Sequence, residues 1–159
     1  GIITYIQFIA EAVKKSRFAK NTTVLLEVSM TKLNDIYKCE TCGNIITKLK
    51  DSSVSVVCCG NRMKELIPGE VDAAVEKHVP AVTIEGDKVT VKVGSVPHPM
   101  VENHYIEFIA LETVQGLQIK YLESDYEAAE AVFALADDDK AVCAYAYCNL
   151  HGLWKKELV

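Results

Sequence analysis

The stretch from Lys32 to about Ile67 carries too little apolar surface to fold by burial alone, yet it holds four cysteines, Cys39-Glu40-Thr41-Cys42 and the adjacent pair Cys58-Cys59. Segments this small need a metal or cross-links to make up for a thin core. Histidines at ligand spacing elsewhere in the chain favour metal over disulfides, in a reducing compartment. Four thiolates suit tetrahedral zinc or iron, because soft sulfur binds both and balances their charge. Neighbouring side chains on an extended strand point to opposite faces, so Cys58 and Cys59 can share one metal only if the backbone kinks between them. A distorted tetrahedron is expected. Gly43 and Gly60, each directly after a cysteine pair, permit tight turns that aim backbone amides at sulfur. A zinc ribbon remains open here as the alternative to iron.

Pro68-Gly69 closes this segment, and the pattern beyond it changes to strands. Ala81–Glu85 and Lys88–Val93 flank Gly86-Asp87, with Val89, Val91 and Val93 alternating with Thr90 and Lys92 as in a hairpin with one buried face. His104–Thr113 and Leu117–Glu123 form a second pair around Gln115-Gly116. Ala131–Ala136 and Ala141–Tyr147 flank the acidic turn Asp137-Asp138-Asp139-Lys140, and Leu153–Leu158 makes a last strand. Seven short strands at regular intervals predict an antiparallel β-sandwich of immunoglobulin-like type. The expected organisation is a leader over residues 1–30, a metal module over 31–67 and the sandwich over 68–159. In the leader, Ile2, Ile6, Ile9 and Val13 are spaced like one face of a helix, and Gln7 and Glu11 interrupt a run too short to span a membrane. Its basic residues follow the apolar run, the reverse of a secretory signal, so a cytoplasmic protein is expected.

The 159 residues carry a net charge of −5 with no clustered surplus of Lys and Arg, which argues against a nucleic-acid partner. All four histidines fall between residues 78 and 151, in a stretch of about half the chain. His78 lies in Glu76-Lys77-His78-Val79-Pro80 and His98 between two prolines, which stiffen its loop. His104 is expected to open a strand, and Cys148 and His151 bracket a short loop ending at Gly152. Zinc in proteins is nearly always four-coordinate, so four imidazoles and a thiolate offer one ligand too many. Five ligands point to square-pyramidal iron with one open face. A thiolate opposite that face would push electron density through the metal, as in haem-thiolate enzymes. Iron(II), four neutral rings and one thiolate leave a single positive charge, which draws in a small anion of oxygen.

These motifs together, with His98-Pro99-Met100, His104-Tyr105-Ile106 and Cys148-Asn149-Leu150-His151-Gly152-Leu153-Trp154, resemble the desulfoferrodoxin family of two-iron superoxide reductases. The resemblance runs from about Lys32 to Leu158, and the leader departs from it. It implies a desulforedoxin-like module with Cys39, Cys42, Cys58 and Cys59 on a first iron. It implies an immunoglobulin-like domain with His78, His98, His104 and His151 as equatorial ligands and Cys148 as axial ligand of a second. It further implies that Glu76 can reach the sixth position of the oxidised iron and that Lys77 brings in superoxide, with a homodimer and rubredoxin or a similar electron donor as partners. Trp154 and Tyr147 are expected to pack around the site, with ordinary core as the equal alternative for Tyr147, and Cys143 to be a small core residue. An electron-transfer protein without a substrate, or a zinc-ribbon binding module, are the alternatives.

Overall fold

The computed structural model describes residues 36–159, so the helix expected in the leader lies outside the described residues. The cysteine-bearing segment makes five very short strands: β1 (Ile36–Lys38), β2 (Ile45–Thr47), β3 (Val57–Cys58), β4 (Asn61–Arg62) and β5 (Lys64–Glu65). They pair antiparallel as β2-β1-β5 and β3-β4. Strands of two or three residues gain little from their ladders, as expected where a metal sets the fold.

After one helical turn, α1 (Val75–His78), the chain runs through β6 (Pro80–Glu85), β7 (Lys88–Val93), β8 (Ile106–Thr113), β9 (Leu117–Tyr121), β10 (Glu130–Ala134), β11 (Ala141–Cys148) and β12 (Gly152–Glu157). Two antiparallel sheets result, β10-β7-β6 and β12-β11-β8-β9. Together they give the expected mainly β, immunoglobulin-like sandwich of seven strands. The period-two pattern decides which faces meet: Val89, Val91 and Val93 of β7 join Ala131 and Phe133 of β10 against Ile109, Leu111, Ala144 and Ala146 of β8 and β11. Each fully buried Val, Leu, Ile or Phe contributes about 1.5–3 kcal/mol. Cys143 is buried as expected, on the opposite face of β11. The strands flanking the acidic turn do not pair with each other. β10 joins β7 and β11 joins β8, so that turn carries the chain from one sheet to the other.

β11 changes register against β8 between Tyr147 and Cys148. Cys148 belongs to the inner core, whereas Tyr147 joins Ile36 and Leu153 in a small cluster on the outer face, with Ile45, Leu66 and Phe108 packed around it. The cysteine segment therefore sits on the outside of the four-stranded sheet. Lys38 Nζ donates to the Tyr147 hydroxyl at 2.8 Å across that contact, and this bond holds the lysine pKa above its ordinary value. No helix among the described residues is long and apolar enough to cross a membrane.

Candidate metal centres

The first cluster is built by turns. Gly43, with φ +79°, lets its own N–H reach the Cys39 carbonyl at 2.9 Å. Cys59 itself adopts φ +51°, a left-handed conformation uncommon for a residue with a side chain. That is the kink the adjacent pair requires. It brings Cys58 Sγ to 3.5 Å from Cys42 Sγ and 3.9 Å from Cys59 Sγ, around the roughly 3.7 Å separation that metal–sulfur bonds of about 2.3 Å give in a tetrahedron. Cys39 is buried, and Cys42 and Cys59 are exposed. The backbone N–H of Cys42, then that of Thr41, donates to the Cys39 sulfur and lowers its pKa to about 6. Cys59 is pushed up to about 12 by hydrogen bonding with Cys42, Cys58 and Cys39. One thiolate forms readily here, and a cation is needed before the rest can follow.

The second cluster lies at one end of the sandwich. His78 ends α1, His98 sits in the loop after β7, His104 lies two residues before β8, and Cys148 and His151 flank the turn between β11 and β12. His104 thus does not open β8. It forms an isolated bridge with Val101 instead. Neighbouring rings, taken in the order His78, His98, His104, His151, have centroids 4.7–4.9 Å apart and are nearly perpendicular. The diagonal pair His78 and His104 is 6.5 Å apart and only 26° from parallel. Four nearly equal edges and a diagonal close to the edge times the square root of two fit a square arrangement. Cys148 Sγ, fully buried, approaches from the core side and lies 3.6 Å from His151 Nδ1.

Backbone carbonyls fix which nitrogens face inward. His78 Nδ1 donates to Ala74 O and His98 Nδ1 to Pro99 O, both at 2.7 Å. Their Nε2 atoms are then bare lone pairs, and they face each other across 3.2 Å. Two lone pairs at that distance repel unless a cation lies between them. His104 Nε2 is buried with no hydrogen-bond partner among the described residues. His151 turns Nδ1 inward, 3.0 Å from His78 Nε2, close to the roughly 2.9 Å between neighbouring corners of a square with metal–nitrogen bonds of 2.0–2.1 Å. Burial lowers the pKa of His78 and His104, and takes His98 to about 4. Burial raises that of Cys148, against the N–H groups of His151 and Leu150 that donate to its sulfur. Neutral rings are what a metal needs, and the donor sets fit two iron ions, one of four thiolates and one of four imidazoles and a thiolate.

Both segments that carry these clusters match known protein families. The family model for desulfoferrodoxin matches residues 70–157, and that for the desulfoferrodoxin N-terminal domain matches residues 31–66. The chain belongs to the desulfoferrodoxin family. A desulfoferrodoxin of Nitratidesulfovibrio vulgaris is 47% identical over 125 residues, which cover 77% of this chain and 95% of that one. A desulfoferrodoxin homologue of Archaeoglobus fulgidus is 44% identical, covering 79% of this chain and 98% of that one. The crystal structure of the superoxide reductase from Treponema pallidum superposes with a TM-score of 0.67 at 39% identity, covering 80% of this chain and all of that one.

Within this desulfoferrodoxin framework, all nine candidate metal-binding side chains fall into the two groups, each with its donor atoms within 4.8 Å of one another. Glu76 and Lys77 are exposed on α1 directly before His78. The Lys77 charge helps to lower the His104 and His78 pKa values, after burial and the neighbouring rings. Trp154 stacks on His78 with centroids 5.0 Å apart and donates Nε1 to the His151 carbonyl at 3.0 Å. Tyr147, by contrast, points away from the cluster to the outer face. Sequence reasoning missed the carbonyls of Ala74 and Pro99, since a backbone acceptor leaves no mark in residue identity. It also missed Gly94, at φ +84°, where an added Cβ would lie 2.8 Å from both the Glu76 and Lys77 carbonyls. A glycine just after a valine-rich strand was the available signal.

Proposed function

We propose that this chain is a superoxide reductase that converts superoxide to hydrogen peroxide at the His78, His98, His104, His151 and Cys148 cluster. The observation that carries the reading is the near-square of imidazoles with the buried Cys148 thiol, five donors that would leave one side of an ion held there without a further donor among the described residues. Sequence likeness along most of the chain to named desulfoferrodoxins, and structural likeness to a superoxide reductase, support it.

Iron(II) held there supplies the one electron that, with two protons, turns superoxide into hydrogen peroxide. Four neutral rings and one thiolate cancel only one charge of a divalent ion, so an anion is attracted despite the acidic chain. Lys77, exposed beside His78, adds to that attraction and steers superoxide to the open side. Glu76, exposed two residues before His78, would supply a carboxylate to that side once the product has left, the role that the family resemblance implies. Core packing around Cys148 and the Trp154 ring over His78 keep water from the thiolate side, so protons reach the product from the solvent side.

The reading includes the module at 31–67 as a separate iron–sulfur domain, the enzymatic domain at 68–159, a homodimer, a cytoplasmic location and rubredoxin or a similar protein as donor. The family resemblance supports the two domains, the homodimer and the donor, and the metal-ligand spacing of cysteine and histidine, which suits a reducing compartment, supports the location. Pulse-radiolysis mixing of the reduced, iron-loaded protein with superoxide tests the activity. One superoxide per histidine-bound iron should be consumed with stoichiometric oxidation and peroxide release. Protein that carries iron at that cluster and does not react would sink the proposal.

A further inference from the structure

We infer that Asn149 is the positioning residue that fixes His104 relative to Cys148 and His151, a reading that rests on the metal site proposed above. The His78 and His98 rings are each held by a bond from Nδ1 to a nearby carbonyl. Among the described residues the His104 ring has no such tether, and its buried Nε2 has no hydrogen-bond partner. Its place is set through its main chain. On one side the N–H and C=O of His104 exchange bonds with Val101, at 2.9 and 3.1 Å. On the other side stands Asn149.

The side-chain amide of Asn149 spans the two residues that flank His104. Its Nδ2 donates to the Asn103 carbonyl at 3.1 Å, and its Oδ1 accepts from the Tyr105 N–H at 3.0 Å. Its own backbone N–H donates to the Tyr105 carbonyl at 3.2 Å. The β8–β11 ladder ends at the pair Cys148 and Ile106, so without these bonds the two chains would part just where the ligands begin. Asparagine suits the task because one planar group offers a donor and an acceptor together. Aspartate lacks the donor and would set a carboxylate against the Asn103 carbonyl. Because Asn149 directly follows Cys148 in the turn to His151, one amide ties three of the five donors into one frame.

The test uses the full chain, depleted of metal and titrated with cobalt(II) against a competing chelator, with the thiolate charge-transfer absorption as readout. Asn149→Ala should weaken cobalt binding at the histidine cluster by about 10–100-fold, the usual cost of losing an outer partner of a ligand. Binding at the four cysteines should not change. Asn149→Asp, equal in size, should also lose affinity, and serves if the alanine variant folds poorly. The decisive comparison is a double-mutant cycle with His104→Ala, in which Asn149→Ala should cost little more once its client ring is gone. An equal loss with and without His104, a parallel loss at the cysteine site, or wild-type affinity in both Asn149 variants would overturn the inference. Wild type that binds cobalt at the histidines but, with iron, leaves superoxide untouched would sink the proposed activity and leave the role of Asn149 standing.

Discussion

Replacing Gly94 by alanine would push a methyl group into backbone that cannot rotate away. Gly94 has φ +84°, and a Cβ there would lie 2.4 Å from the Val96 carbonyl and 2.8 Å from those of Glu76 and Lys77. The left-handed conformation costs a non-glycine residue about 1–2 kcal/mol, and overpacking adds about 1–3 kcal/mol. A loss of about 2–5 kcal/mol is therefore expected. Relief requires α1 to move outward, and α1 ends in His78. The variant should lose metal from the histidine cluster while the four-cysteine cluster keeps its own. Gly86 supplies the control: it also has positive φ, at +63°, but an added Cβ there meets nothing within 4 Å. Gly86→Ala should cost only the conformational part and retain both metals. Urea denaturation of the metal-free proteins gives the energies, and metal analysis of each site gives the occupancies. If Gly94→Ala matches Gly86→Ala in both, the close approach of Gly94 to α1 does not position His78.

Cys148→Ser should abolish the thiolate charge-transfer band of the second centre and reduce superoxide consumption by more than the roughly 10–100-fold that losing a hydrogen-bond partner of a ligand costs; a variant with near-normal turnover would remove the Cys148 thiolate from the mechanism. Lys77→Ala should slow the second-order reaction with superoxide by a few-fold at low salt and flatten its ionic-strength dependence; pulse radiolysis at two salt concentrations decides, and identical rates at low salt would refute steering. The metal-free protein should lose stability as pH falls from 6.5 towards 4, because His98, held near 4 by burial, stays neutral when folded while the unfolded chain binds the proton. His78 and His104, also lowered, act in the same direction. Urea midpoints that stay flat across that window would contradict the neutral, desolvated rings described above.

The residues that bring chemistry were legible one by one, because cysteine and histidine at ligand spacing have few other uses. So were the β6–β7 and β8–β9 hairpins, since period-two alternation and a glycine-bearing turn act within a few residues of chain. The kink at Cys59 followed from the same local logic, as two adjacent side chains cannot face one way on a straight strand. What lay beyond the sequence depended on partners distant in the chain. Which sheet receives β10, which way Tyr147 points and where β8 begins are settled by packing between sheets and by a change of register in β11. The near-square spacing of the four-ring array, and the choice of Nδ1 over Nε2 at His151, came only when the end of α1, the β7–β8 loop, the β11–β12 turn and the end of β11 were brought together. Composition and spacing determined which atoms could hold a metal. Tertiary structure decided their geometry, because a ligand's direction is set by backbone carbonyls, glycine clearances and neighbouring turns that no single residue announces.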